Sequence, residues 1–313
     1  EEIGRNLVLV QLVANGLAGR KASTGLFLSS ADDSSTYSGG GLFHSTAIGE
    51  DGATAQLQFA VTSLQLESEG IIVDQDRQRW LAKYIQPFAK SGNRELSAFG
   101  GFEGDDLDVE QDGVLSQEDR LRSLNFGLSA NWRGGDRSGL LSVETELGMN
   151  AAGDTDQVDA LGQNNFAIWR VQAAHTTRLG ESWTWRTDGY AQYSSDELAS
   201  VKQFKVGGGR IGRGFEAAAA SGDSGGGMKL DLRRPIGENL PWFGAAQFYA
   251  YYDLGAAWRN DRPGRESAAS AGLGVSAQSE HFAAYFEVAK PLTHPDADGR
   301  KDAGVFAELT YRF

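Results

Sequence analysis

Apolar and polar residues alternate with a period of two along most of the chain. In Leu124–Trp132 every second residue is apolar, and the residues between are Asn, Gly, Ser and Asn. The same alternation recurs in Leu141–Met149, Met228–Arg233 and Phe282–Val288. Because successive side chains of a β-strand point to opposite faces, each segment predicts a strand with one apolar and one polar face.

The lengths of these segments favour a membrane barrel over a soluble sheet. Many run for about ten residues or more, which suits a tilted bilayer crossing (~9–11 residues) better than a soluble sheet (~5–6). Tryptophans near the predicted strand ends suit interfacial girdles. We therefore predict an all-β fold, namely a transmembrane antiparallel β-barrel of outer-membrane type with about 16 strands. The predicted strands are 6–15, 22–30, 37–47, 53–65, 78–89, 93–103, 120–133, 137–149, 164–178, 182–196, 200–207, 226–235, 243–258, 267–278, 282–292 and 303–313.

Composition narrows the function classes further. The 313 residues carry a net charge of -13, which disfavours a nucleic-acid partner because phosphate contacts need clustered Lys and Arg. The chain has no cysteine, as suits a protein that crosses an oxidising compartment unfolded. The four histidines show no metal-ligand spacing, and no carboxylate pair stands out as an acid–base set. We expect no metal, no cofactor and no enzymatic activity.

The segment Phe204–Pro235 carries the most distinctive motif. A short strand ends in three glycines, and the tip of the following loop is Arg213-Gly214-Phe215. A run of small residues then leads into a new strand that ends in Leu-Arg-Arg-Pro. The pattern predicts a long hairpin loop with an arginine at its tip.

This hairpin resembles the sixth loop of the Omp85/TpsB superfamily of outer-membrane transporters. The family pattern is an Arg-Gly-aromatic tip, then Gly-Asp, then a strand that ends in Glu-Leu-Arg. Here Gly222-Asp223 follows the tip, and Asp231 stands for the glutamate two residues before Arg233. The resemblance extends over about 200–313, and it is to the ShlB/FhaC/HecB-like two-partner secretion transporters.

The resemblance implies a partner for the loop arginine. In that family the arginine folds back inside the barrel and pairs with an aspartate on a nearby strand. The segment Gln247–Trp258 carries the matching Tyr-Asp-x-Gly pattern, and its alternation turns Tyr249, Tyr251 and Asp253 to the polar face. The resemblance therefore implies that Arg213 and Asp253 form this pair. They would form either a latch of a movable gate or a fixed structural pair.

The C-terminus gives a second signal. Val305, Ala307, Leu309, Tyr311 and the terminal Phe313 share one face. A last strand of this kind resembles the assembly signal of bacterial outer-membrane barrels. The alternative is a soluble β-protein that ends in Phe.

The strand count also predicts the side on which each connection lies. With sixteen strands and both termini in the periplasm, the Arg213 loop falls between strands eleven and twelve, on the outer side. Three long acidic connections, near 66–77, 104–119 and 150–163, then fall on the periplasmic side, where turns are normally short. Either one early strand is assigned wrongly, or the strands extend well beyond the membrane.

Two motifs suggest enzymes but fit poorly. Gly207-x-Gly209-x-x-Gly212 matches a dinucleotide fingerprint, yet no helix can follow it before the next glycines. The nucleophile-like loop around Ser224 and the motif ending at His175 resemble those of trypsin-like proteases. Only 48 residues separate His175 from Ser224, too few for that two-barrel architecture.

A third motif resembles a calcium-binding loop. The segment Asp108–Asp119 carries oxygen ligands at its first, third, fifth and ninth positions and glycine at its sixth. Its last position holds Asp instead of the usual Glu, and no helices flank it. A solvated acidic loop is the preferred interpretation.

The resemblance implies a function, a location and partners. Residues 1–313 would form one transmembrane barrel domain, with periplasmic POTRA domains expected upstream. The protein would export an unfolded exoprotein across the bacterial outer membrane, where it would contact the lipid bilayer and lipopolysaccharide. The barrel-assembly machinery would be a partner during insertion. The alternatives are an Omp85-type insertase of other barrel proteins and a passive porin.

Overall fold

In a computed structural model of the protein, residues 7–16, 21–31, 35–68, 70–149, 164–240, 244–280, 282–293 and 302–311 are described. Within these ranges the chain forms strands and turns, and it has no helix that could cross a membrane. The strands are β1 (Leu7–Asn15), β2 (Ala22–Ala31), β3 (Ser35–Ile48), β4 (Ala53–Ser68), β5 (Ile71–Ser91), β6 (Arg94–Gln111), β7 (Val114–Gly134), β8 (Arg137–Met149), β9 (Ala167–Leu179), β10 (Trp183–Tyr193), β11 (Phe204–Val206), β12 (Ala220–Gly222), β13 (Ser224–Leu240), β14 (Gly244–Trp258), β15 (Glu266–Gln278), β16 (Phe282–Pro291) and β17 (Gly304–Tyr311).

Fifteen of the strands form one sheet in sequence order, in which β10 is hydrogen-bonded directly to β13. β11 and β12 pair only with each other, as a small antiparallel hairpin. The prediction that 200–207 is a strand of the main sheet is therefore wrong. Only three of its residues are extended, and they pair with Ala220–Gly222 inside the long connection between β10 and β13. The Arg213 loop thus follows the tenth strand of the sheet, not the eleventh.

The described residues divide into two compact units. Unit 1 comprises 1–129, 143–169 and 194–202, and unit 2 comprises 130–142, 170–193 and 203–313.

The longest strands lie mainly in unit 1. β5 and β7 each have 21 residues and β6 has 18, and β5 pairs with β6 from Val73↔Gln111 to Ser91↔Arg94. Two of the predicted acidic connections, 66–77 and 104–119, are therefore mostly strand. This confirms the interpretation that the strands are extended. The third connection, 150–163, lies outside the described residues.

The predicted strand count placed the Arg213 loop and these connections on opposite sides of the membrane. Because 200–207 is not a strand of the main sheet, that alternation of sides does not hold beyond β10. Within unit 1, Leu121 of β7 packs with Leu198 and Ala199, which lie at the beginning of the connection from β10 to β13.

The calcium-like segment Asp108–Asp119 is a hairpin, not a solvated loop. β6 ends at Gln111 and β7 begins at Val114, and Asp112 and Gly113 form a turn with φ of 51° and 76°. Two successive positive φ angles are typical of the tight turns that Asp-Gly favours. Within the described ranges, no group of three or more His or carboxylate side chains could hold a metal ion.

The distribution of apolar side chains is inverted relative to a soluble protein. On β7, Leu124, Phe126 and Leu128 are 44%, 48% and 58% exposed, whereas Ser123 and Asn125 on the alternate face are buried. Soluble proteins place apolar side chains inside because burial removes them from water. An apolar outer face and a polar inner face are typical of a barrel whose outside contacts lipid.

β14 shows the same inversion within unit 2. Tyr252 and Leu254 are exposed, while Tyr249, Tyr251 and Asp253 on the alternate face are buried. The predicted assignment of these residues to two faces is confirmed. The inner face of β14 is the surface against which the Arg213 loop packs.

Candidate functional site

The loop is seated on unit 2 by a small apolar cluster. Val206 of β11 and Ile211 are fully buried and pack with Phe204, Ala220, Ala257 and Ala268. Glycines of the sheet make room for them. A Cβ at Gly227 would lie 2.8 Å from Ile211, and one at Gly255 would lie 2.9 Å from both Ile211 and Val206. The wall is therefore shaped to receive the loop.

The tip arginine lies against β14. Arg213 Nε donates to Asp253 Oδ2 at 2.9 Å, and Nη2 donates to Oδ1 at 2.7 Å. The backbone N–H of Arg213 donates to the same carboxylate at 3.1 Å. A planar guanidinium that meets both carboxylate oxygens is the strong, geometrically specific form of this contact. The Arg213 side chain is 12% exposed and that of Asp253 is fully buried.

Further groups complete the surroundings of the guanidinium. Arg213 Nη2 also donates to Asp231 Oδ1 on β13 at 2.7 Å, and Asp231 accepts a second bond from Arg233 at 2.6 Å. The guanidinium carbon lies 3.6 Å from the centre of the Tyr251 ring. That distance is within the range of a cation–π contact. The structure thus places four of the predicted residues together, namely Arg213, Asp231, Arg233 and Asp253, and adds Tyr251 to them.

A third carboxylate stands further from the arginine. Glu287 Oε2 on β16 is 3.8 Å from Arg213 Nη1 and accepts a hydrogen bond from Tyr249 at 2.8 Å. Sequence reasoning missed Glu287, although an acidic residue on the polar face of a strand was the available signal. Tyr249 was assigned to the inner face without a partner.

The residues after the arginine fit closely against the wall. Gly214 N–H donates to Ser270 Oγ at 3.3 Å. A Cβ on Gly214 would lie 2.8 Å from the Cβ of Ser270 and 3.2 Å from the backbone of Lys290, so only glycine fits here without movement. Phe215 packs against the apolar cluster of the loop.

The predicted Gly-Asp pair holds the end of the loop. A Cβ on Gly222 would lie 2.4 Å from the carbonyl oxygen of Trp258, so the hairpin packs directly on the β14 backbone. Asp223 is buried, and its Oδ2 accepts the backbone N–H of Asn260 at 2.7 Å. These two residues fix the point at which the chain re-enters the sheet.

The C-terminal strand has the predicted apolar outer face. β17 pairs with β16, with Leu309 opposite Ala284 and Tyr311 opposite Phe282. Leu309 and Val305 are exposed. Tyr311 ends the strand, and Phe313 lies outside the described residues. The role of this strand as an assembly signal stays a prediction.

The enzyme-like motifs have structural explanations. Gly207 has φ of 111°, and its N–H donates to the carbonyl of Ile211 at 2.7 Å. The glycine motif is therefore a turn, and no helix begins there. Ser224 is fully buried at the start of β13.

The fold matches solved barrels over nearly the whole chain. CdiB from Escherichia coli superposes with a TM-score of 0.87 and 22% identity, covering 98% of this chain and 60% of that chain. BamA from Haemophilus ducreyi lacking POTRA domains 1-3 superposes with a TM-score of 0.66 and 13% identity, covering 98% and 67%. The predicted fold class is confirmed, and the protein is an antiparallel β-barrel of the outer-membrane type.

The chain belongs to the family described as haemolysin secretion/activation protein ShlB/FhaC/HecB, whose sequence profile matches residues 106–277, more than half of its length. It is 29% identical over 216 residues to the outer membrane transporter CdiB of Escherichia coli O6:K15:H31, covering 66% of this chain and 36% of that protein. It is 25% identical over 230 residues to the heme/hemopexin transporter protein HuxB of Haemophilus influenzae strain 86-028NP, covering 67% and 40%. The chain thus spans well under half the length of these relatives. The resemblance stated from the loop motif is confirmed, and the protein is located in the bacterial outer membrane.

Proposed function

We propose that the protein exports an unfolded exoprotein across the outer membrane, as the transporter of a TpsB-like two-partner secretion pair. The observation that carries this proposal is the loop tip, whose Arg213 is buried against Asp253 and Asp231 on the inner face of the sheet. A diffusion pore does not need a loop with this ion cluster. A transporter for large chains needs a channel that is closed at rest.

The loop is well suited to be the gate. Ordering a loop costs ~1–2 kcal/mol per residue in backbone entropy, so its closed position depends on the contacts at its tip and stem. Removing one partner of a buried ion pair typically costs ~3–5 kcal/mol, because the other charge is left uncompensated. Arg213 and Asp253 would therefore act as the latch, and Gly214, Phe215 and Asp231 as parts of its seat.

The proposal also covers the domain organisation, the partners and the absence of catalysis. Residues 1–313 form one transmembrane barrel domain. The partners are the exoprotein, the lipid bilayer with lipopolysaccharide and, during insertion, the barrel-assembly machinery. The protein binds no nucleic acid, needs no cofactor and catalyses no reaction.

An insertase of other barrel proteins is a second candidate. The barrel fold shared across the Omp85 superfamily favours it. The two functions differ in their clients, because an exporter serves one exoprotein and an insertase serves many barrels.

Quantitative mass spectrometry of a deletion strain against its parent tests the proposal. Secreted, surface-shed and outer-membrane proteins would be compared. We expect the loss of one large exoprotein with other barrels unchanged. Loss of many barrels would overturn the proposal in favour of an insertase, and no loss at all would favour a porin.

A further inference from the structure

A buried lysine lies at the beginning of the loop, in unit 1. Lys202 is 4% exposed, and its Nζ lies 2.8 Å from Glu103 Oε1 and 2.7 Å from Glu146 Oε1. The long, flexible lysine side chain is rarely buried unless it is paired. Here one ammonium group bridges two carboxylates, as its three N–H donors allow.

The two carboxylates and the side chains that donate to them lie on neighbouring strands, and together they form a receptor for the ammonium group. Ser123 of β7 donates to Glu146 of β8 at 2.6 Å, and Arg79 of β5 donates to Glu103 of β6 at 3.1 Å. Both carboxylates are buried, and both lie within hydrogen-bonding distance of the Lys202 ammonium group. If Lys202 left, the two buried carboxylates would lose this shared donor, so the receptor favours a bound ammonium.

The segment that carries Lys202 is seated on the same unit by other contacts. Leu198 and Ala199 pack with Leu121, Phe166 and Ile168. Asp196 Oδ2 accepts the backbone N–H of Ala167 at 2.8 Å. Segment Ser194–Lys202 therefore lies on the wall formed by unit 1, and Lys202 is the last residue of that contact.

We propose that Lys202 is a second anchor of the loop, which holds its first segment on Glu103 and Glu146 as Arg213 holds its tip on Asp253. Neither set of contacts includes a residue of the other. The inference rests on the proposed gating role of the loop. Full withdrawal of the loop then requires that both anchors release.

A matched lysine in the same unit provides the control. Lys83 Nζ lies 3.9 Å from Glu144 Oε2, two residues before Glu146 on β8, but Lys83 belongs to wall strand β5 and not to the loop. Replacing Lys83 removes a lysine–glutamate pair from the wall without touching the loop. Replacing Lys202 removes the proposed anchor.

The experiment compares variants of the full-length natural protein in planar lipid bilayers. We expect Lys202→Met to raise the frequency of large-conductance openings about tenfold, and Lys202→Arg, which keeps the charge, to raise it less than about threefold; a tenfold change corresponds to about 1.4 kcal/mol. Lys83→Met should match the wild type. Equal opening frequencies in Lys202→Met and Lys83→Met would overturn the proposal.

A second variant keeps the test decisive if Lys202→Met does not insert, as judged by heat-modifiable electrophoretic mobility. Glu146→Gln leaves the loop unchanged and removes half of the receptor, so it should also raise the opening frequency. An unchanged frequency in Glu146→Gln would overturn the anchor. Because conductance needs no exoprotein, loss of the anchor is distinguishable from failure of the proposed export function.

Discussion

Two arginine–aspartate pairs of nearly the same chemistry lie in different parts of the molecule. Arg213 meets both oxygens of Asp253 from the loop. Arg122 of β7 meets both oxygens of Asp106 of β6 at 2.5 and 3.1 Å. The first pair is 12% and 0% exposed, whereas the second is 24% and 25% exposed.

The difference lies in what each pair holds. Arg122 and Asp106 face each other across the β6–β7 hairpin, whose backbone hydrogen bonds keep the strands together without them. Arg213 and Asp253 join a loop to a wall, and the contact itself fixes the tip. The Arg122–Asp106 pair therefore adds little to strands that are already hydrogen-bonded, whereas the Arg213–Asp253 pair fixes the position of the loop tip.

The largest expected effect follows from removing the buried carboxylate. Asp253→Ala leaves Arg213 with Asp231 and the more distant Glu287. Even a loss of about 3 kcal/mol, at the low end for a broken buried pair, shifts the closed–open balance of the loop roughly 100-fold. We expect export of the exoprotein to fall at least about tenfold because the gate no longer returns to its seat, and Arg213→Ala should act in the same way.

Immunoblots of the culture medium measure this export. Heat-modifiable mobility must show that each variant is inserted at the wild-type level. Wild-type export by both inserted variants would rule out the latch.

A smaller effect is expected from crowding the tip while leaving its charges intact. Gly214→Val introduces a Cβ that would lie 2.8 Å from that of Ser270, so the tip must shift and the adjoining ion pair must lengthen. Overpacking of this kind typically costs ~1–3 kcal/mol. We expect export to fall several-fold, less than in Asp253→Ala. Gly209→Ala, at a loop glycine with open space around it, is the control and should export normally.

The smallest effect is expected at the Arg122–Asp106 pair, which is 24% and 25% exposed. Asp106→Ala removes the same chemical group as Asp253→Ala, but ion pairs that water can reach contribute only ~0.2–1 kcal/mol. Export and barrel stability should stay within about twofold of the wild type. A loss as large as that of Asp253→Ala would show that exposure and backbone support do not distinguish the two regions.

Much of the fold could be predicted because alternation is a local property. The faces of β7, β14 and β17 follow directly from which residues are apolar. The extensions of β5–β7 could be offered only as one of two explanations, because charged residues occupy both faces there and the alternation disappears although the backbone continues. The segment at 200–207 has strand-like residues, but only tertiary contacts decide that it pairs within the loop.

The contacts of the loop also divide into those that the sequence predicts and those that it does not. The Arg213–Asp253 contact could be anticipated because a motif marks one partner and strand phase turns the other inward. The Lys202 anchor could not, because Lys202 is 99 residues from Glu103 along the chain and neither residue belongs to a recognisable motif. Strand register and a loop conformation together bring these charges into contact.

In the proposed mechanism the loop must leave the wall for export. A disulfide between Val206→Cys and Gly255→Cys tests it, because a Cβ at Gly255 would lie 2.9–3.1 Å from the Cγ atoms of Val206. That is about the 3 Å expected between one sulfur of a disulfide and the Cβ across the bond. The chain has no other cysteine to interfere.

The decisive measurement is exoprotein export by this double variant before and after reduction, with disulfide formation checked by mass and each single-cysteine variant as a control. If the loop must leave the wall, export is blocked in the oxidised protein and returns to the level of the single variants on reduction. Equal export by the fully oxidised and the reduced protein would contradict it.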